Sequence, residues 1–272
     1  MTNPLLRNLL PAALAATVAV ACQTVQTTAG GTVGVDRTQM MMVSAQEVEQ
    51  ASRQQYQQML AEARSKNALN RDPAQLQRVR TIVSRLTAQA GAFRQDAMRW
   101  QWEVNVFSSD ELNAWCMAGG KMAIYTGLID RLKLSDDEIA AVMGHEIAHA
   151  LREHAREKVS KSMVTGLGVS VAGALLGVGS AGQDLMNTVA KVTFELPNSR
   201  EYEIEADRMG VELAARAGYD PRAAVTLWNK MASASNGGPP QWLSTHPSHA
   251  TRQRELTEYS ARVMPLYERA RR

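Results

Sequence analysis

His145, Glu146 and His149 stand in the order His-Glu-Ile-Ala-His. On a helix, residues four apart share a face, so both imidazoles point the same way. Two ring nitrogens at that spacing can grip one zinc ion, with the Glu146 carboxylate beside it as a base. With only 5 His in 272 residues, a random order produces this pattern on the order of 0.006 times. A catalytic zinc takes a third protein ligand and keeps one position for water. The segment Ser199-Arg200-Glu201-Tyr202-Glu203-Ile204-Glu205-Ala206-Asp207 offers candidates. Glu203 and Asp207 are four apart and share a face, whereas Glu201 and Glu205 point away from it. One carboxylate can bind zinc while the other holds a histidine ring N–H. Spacing alone leaves Glu201 and Glu205 in contention with Glu203.

These residues need helices to carry them. Ser135 followed by Glu138 is a capping box, so the histidine helix starts there. Ile139, Ala140, Val142, Met143, Ile147 and Leu151 give it an apolar face. Asn198 or Ser199 can cap the glutamate helix. Upstream, residues 44–66 carry Val48, Tyr56, Met59 and Leu60 at helical spacing, and Asp72-Pro73 opens a second helix bearing Leu76, Val79, Ile82, Val83 and Leu86. Trp100, Trp102, Val104 and Val106 alternate with polar residues, the pattern of a half-buried strand. Residues 112–118 lead to Gly119-Gly120, and residues 121–126 read as a second strand. A short helix follows at 128–132, and everything after Ser135 reads as helix or loop. The expected class is α+β and mostly helical, with one small sheet. N-terminal helices over 44–95 pack on a main domain over 96–272.

Four blocks between residues 113 and 252 carry a resemblance. They are Asn113-Ala114-Trp115 with Gly119-Gly120 and Tyr125-Thr126-Gly127-Leu128; the helix around His145; the S-R-x-x-E-x-x-A-D segment ending at Asp207; and Thr245-His246-Pro247-Ser248 with Arg252. Together they resemble the zinc metallopeptidase family of the CaaX prenyl protease, the heat-shock protease HtpX and the periplasmic protease-chaperone BepA. That resemblance implies a gluzincin-type domain, Glu203 as third zinc ligand and Asp207 as a support for a ligand histidine. Zinc lowers the pKa of its water, and Glu146 takes the water proton. The resemblance puts His246 beside the metal, either stabilising the transition state or closing over the zinc as a fourth ligand. His154 and His249 are expected to be solvated bystanders. Asn113, Gly119, Gly120, Met122 and Ile124 resemble a substrate-binding edge, along which a peptide adds as a strand.

The N-terminus reads as an address. Residues 1–21 have a basic residue, an apolar run and small residues at the end, the layout of a signal peptide. Ala19-Val20-Ala21-Cys22 resembles a bacterial lipobox, so Cys22 is expected to carry lipid, and by resemblance to Gram-negative lipoproteins Gln23 in place of aspartate implies the outer membrane. Residues 22–43 show no period and read as a tether. Cys116 is then an unpaired, buried thiol. The formal net charge of +3 gives no reason to expect nucleic acid. Residues 162–183 hold no charge and six glycines. Three readings stand for them: a mobile lid, a buried helix or a membrane-inserted segment.

The sequence therefore points to a zinc-dependent endopeptidase of the bacterial cell envelope acting on unfolded or misassembled envelope proteins. A chaperone or outer-membrane assembly factor with a latent metal site is the second reading.

Overall fold

The computed structural model describes residues 23–164, 181–234, 241–247 and 251–272. The leader, Cys22, His249 and residues 165–180 of the uncharged stretch lie outside these. Among the described residues no helix is long and apolar enough to cross a membrane.

Among the described residues the chain is mostly helical, with two small sheets. Strands β1 (Gln23–Val25) and β2 (Gln39–Met41) pair antiparallel. Helices α1 (Ala45–Ser65) and α2 (Pro73–Thr87) follow. The Ser44–Glu47 capping box starts α1, and Asp72 caps α2 with Pro73 in its first turn. Next come β3 (Glu103–Phe107), β4 (Ala114–Met117) and β5 (Lys121–Tyr125), then α3 (Thr126–Arg131). The rest is helical: α4 (Asp136–Leu151), α5 (His154–Val164), α6 (Ala181–Phe194), α7 (Arg200–Arg216), α8 (Ala223–Ser233), α9 (Gln241–Thr245) and α10 (Arg252–Ala270).

The second sheet has the order β3-β5-β4, with β5 parallel to β3 and antiparallel to β4. Its two faces build two cores. Val104, Val106, Ala114, Cys116, Met122 and Ile124 face a large core shared with α2, α4 and α7. Phe107, Trp115, Met117 and Ala123 face a smaller one shared with α1 and α6. Burial on both faces explains why β4 is unmarked in the sequence: all four of its residues are buried, so apolar and polar residues do not alternate. It also explains Asn105, expected on a wet face. That residue is buried, and its amide donates to the Tyr56 hydroxyl of α1 at 2.7 Å.

α4 is the central helix. Every residue from Glu138 to Leu151 is buried, so it has neighbours on all sides rather than along one apolar face. The helix facing it is α7, which in turn packs on α10.

Residues 23–43 are not the free tether that their composition suggests. Val33 and Val35 are buried in the large core, and Thr28 and Gln39 are buried as well. The Val33 N–H donates to Glu212 at 3.0 Å. Arg37 and Gln39 both bond to Glu157. The segment is held by polar contacts scattered along its length, and such contacts leave no period in the sequence.

Candidate metal centre

Four ligand atoms converge between α4, α7 and the end of α9. His145, His149, Glu203 and His246 each offer one, all within 4.8 Å of one another, and all four residues are buried. The ring Nε2 atoms of His145 and His149 lie 3.0 Å apart. Glu203 reaches both, with Oε2 3.5 Å from His145 Nε2 and Oε1 3.4 Å from His149 Nε2.

Close helix packing makes this convergence possible. α4 and α7 touch at Gly144 and Gly210. A Cβ built on Gly210 would stand 2.8 Å from the His145 backbone nitrogen. Only glycine lets the two backbones come this near, and the contact sets Glu203, two turns N-terminal of Gly210, opposite the histidines. Ser199 caps α7, accepting from the Tyr202 N–H.

The supporting contacts fix each donor. Asp207 Oδ1 lies 2.9 Å from His145 Nδ1, and a carboxylate only accepts. The proton of His145 is therefore on Nδ1, leaving a lone pair on Nε2. Arg252 bridges the two carboxylates of α7, donating to Glu203 Oε2 at 2.9 Å and to Asp207 Oδ1 at 2.7 Å. Asn198 donates to Glu203 Oε1 at 2.8 Å. The Arg252 guanidinium lies over the Trp228 ring, 3.6 Å from its centroid. His246 Nδ1 faces the Trp242 carbonyl at 3.1 Å, so its Nε2 is also free to coordinate. Burial pushes the His145 and His246 rings down to about 3, so both are neutral. Neutral imidazole nitrogens beside a carboxylate form a donor set that suits a divalent cation.

Glu146 stands beside this set with its own contacts. Its Oε1 accepts from Trp242 Nε1 at 2.7 Å, and His246 Nε2 lies 3.5 Å away. Burial pushes its carboxyl well above the usual range, while donors from Trp242 and the Cys116 backbone pull the other way. The residue opens on a cleft of about 750 Å³ whose walls include Asn113, Trp115, His149, Lys158, Phe194 and His246.

Three expectations need correction. His154 is not solvated: it is 1% exposed. The helix carrying the motif ends at Leu151, Glu153 at φ 51° breaks it, and α5 starts with His154, whose Nδ1 meets the Nδ1 of His149. Glu205, left in contention with Glu203 by spacing, is not in the donor set but is buried among Arg37, Arg152 and His154. Glu201 is largely exposed and bonds Arg37 rather than the donor set. Finally, Met122 and Ile124 do not lie on an open edge. They sit in β5, which is paired on both sides, and neither is exposed. Gly119 and Gly120, at φ 76° and 79°, turn the chain between β4 and β5 and do not line the cleft. The strand bordering the cleft is β4, and Asn113 lies at its start. Cys116 is free and buried.

Sequence reasoning missed Trp242, Gly210, the bond from Asn198 to Glu203 and the His154–Glu205 pair. Only the pair carried a signal: a histidine five residues beyond the motif, in a chain with five in all.

A His-Glu-x-x-His helix facing a glutamate helix, beside a small mixed sheet, is a gluzincin-type metallopeptidase domain. The family model for peptidase family M48 matches residues 73–260, and the chain belongs to that family. The match starts at the first residue of α2, so the family's domain takes in a helix expected to lie outside it. The mitochondrial metalloendopeptidase OMA1 of Arabidopsis thaliana is 38% identical over 157 residues, covering 58% of this chain and 31% of its own. The metalloprotease LoiP of Escherichia coli (strain K12) is 29% identical over 258 residues, covering 93% of this chain and 96% of its own. The beta-barrel assembly-enhancing protease of Yersinia pestis is 29% identical over 209 residues, covering 71% of this chain and 40% of its own. The chain spans about a third of the length of the plant and bovine OMA1 proteins it matches.

Proposed function

We propose that the protein is a zinc-dependent endopeptidase of the bacterial cell envelope, cleaving misfolded or misassembled envelope proteins. The observation that carries the peptidase reading is Glu146. A carboxylate placed beside the donor set, facing the cleft and held by Trp242, is a general base in waiting. A binding module has no use for one. His145, His149 and Glu203 would hold zinc, which when bound supplies a Lewis acid for water and the scissile carbonyl. Glu146 takes the water proton and passes it to the leaving amine. An extended substrate adds along β4 from Asn113, in place of the β5 edge expected from the sequence.

Similarity to LoiP and to the beta-barrel assembly-enhancing protease supports an envelope setting, as do the leader and the lipobox-like Cys22. A lipid on Cys22 would hold the domain close to the outer membrane on its periplasmic side, because β1 begins at the next residue.

Glu146→Gln tests the reading. Casein cleavage is expected to fall by at least about 100-fold, while zinc content and the circular dichroism spectrum stay unchanged. Undiminished cleavage by this variant sinks the mechanism.

One observation favours a self-inhibited site, and with it the chaperone reading. His246 Nε2 lies among the donors rather than away from them. With its proton on Nδ1, His246 offers a lone pair where an oxyanion would need a donor. His246→Ala is therefore expected to raise casein cleavage several-fold, and a drop to background would assign His246 to transition-state stabilisation instead.

A further inference from the structure

We propose that His154 and Glu205 are positioning residues that fix the tautomer of His149, and that the segment of residues 23–43 locks them in place through Arg37. The inference rests on the metallopeptidase reading and concerns residues outside the donor set.

The two metal-capable histidines of α4 are oriented differently. His145 has a carboxylate, Asp207, on its Nδ1. His149 has none. Its Nδ1 lies 2.7 Å from the Nδ1 of His154. One proton can sit between two such nitrogens, so one ring donates and the other accepts. The far side of His154 decides which. Its Nε2 lies 2.9 Å from Glu205 Oε2, and an ionised carboxylate only accepts. His154 therefore carries its proton on Nε2 and presents a lone pair on Nδ1. His149 must then donate from Nδ1, which leaves the Nε2 lone pair facing Glu203 and the centre. The relay Glu205–His154–His149 does at one remove what Asp207 does for His145 directly.

Both oxygens of Glu205 accept from two guanidinium groups, so it meets His154 as an acceptor. Arg152 donates to it through Nε at 3.1 Å and Nη2 at 3.0 Å. Arg37 donates through Nε at 2.9 Å and Nη2 at 3.1 Å. Arg37 also pairs with Glu157 of α5, and the Arg152 Nη2 donates to the Arg37 carbonyl. Gln39, buried, donates to the Arg152 carbonyl at 2.7 Å and to Glu157 at 2.7 Å. The segment near the N-terminus thus reaches a zinc-facing ring through three consecutive side chains: Arg37, Glu205 and His154. His154 is further fixed by stacking on Tyr202, with centroids 4.4 Å apart and planes at 12°.

A pair of variants in the full-length protein separates positioning from packing. His154→Phe keeps a ring on Tyr202 but offers no acceptor. His154→Gln can accept from His149 with its amide oxygen and donate to Glu205 with its NH₂, reproducing the neutral imidazole. Zinc affinity, read by competition with a chromophoric chelator, is expected to fall about 10- to 100-fold in His154→Phe. It is expected to recover to within about three-fold of the native protein in His154→Gln. The visible spectrum of the cobalt-substituted protein should change in the Phe variant and be restored in the Gln variant. Native affinity and spectrum in both variants overturn the relay. Equal losses in both overturn it too, since packing alone would then explain them. If His154→Phe does not fold, Arg37→Gln carries the test: it should weaken zinc about ten-fold by loosening Glu205, and unchanged affinity refutes the proposal. Failure of the native protein to bind zinc at all would instead refute the metallopeptidase reading.

Discussion

The carboxyl of Glu146 is placed between opposing influences. Burial favours its neutral form, and the Trp242 and Cys116 N–H groups favour the carboxylate. A general base must be ionised to act, so these donors set the acid limb of the reaction. Trp242→Phe removes one donor and keeps most of the ring that stacks on His246. The Glu146 pKa then rises, and the acid limb of kcat/KM moves to higher pH. A net hydrogen bond of about 1 kcal/mol corresponds to a shift of about 0.7 pH units. A limb that does not move would show that Trp242 only packs. The histidines illustrate what residue type alone can say. The motif spacing announced His145 and His149, but no spacing could show that a third histidine, beyond the helix break at Glu153, would touch the second.

At the scale of elements, the centre depends on one helix crossing. α4 and α7 approach so closely at Gly144 and Gly210 that no side chain fits between them. Gly210→Ala places a methyl group against backbone, which cannot rotate away. The helices must separate, at a cost of about 1–3 kcal/mol. The expected result is a lower melting temperature together with weaker zinc binding, because Glu203 moves away from the histidines. An alanine variant that melts and binds zinc like the native protein would refute this account. The helices themselves were legible: Ser135 caps where the sequence places it, Asp72-Pro73 opens α2, and Ser199, one of two caps considered, starts α7. The strands were less so. β3 starts at Glu103, leaving Trp100 and Trp102 outside it, and β4 has no alternation because both its faces are buried. The choice of β5 as the open edge failed because strand order is a long-range property. A crossover puts β5 in the middle, and nothing local records it.

At the scale of the whole molecule, the small sheet separates two cores and the cleft borders both. Its walls draw on α4 from the large core and on Val48, Trp115, Val192 and Phe194 from the smaller one. The donor set gathers a carboxylate and three imidazole rings in one buried place, an arrangement that a bound cation relieves. A ligand that binds the folded state alone stabilises it by RT ln(1 + [L]/Kd), about 2.7 kcal/mol at a hundred-fold excess over Kd. Removing metal with a chelator is therefore expected to lower the melting temperature by roughly 5–10 °C, with recovery on adding zinc. Identical melting with and without chelator would count against a resident metal.

The sequence by itself determined the chemistry on offer. His145, Glu146 and His149 lie within one helical turn, so helical geometry alone brings their side chains together, and the capping residues start the helices that carry them. The family follows from the same blocks. Spacing left three glutamates open and the resemblance implied Glu203; the tertiary structure sets Glu203 against the histidines, and it alone decided which strand borders the cleft and that residues 23–43 are built into the domain. Each of these depends on contacts between residues far apart in the chain. Such contacts are fixed by how closely α4 and α7 can pack, by strand order, and by where Glu205 finds its cations, and none of the three has a local period to read.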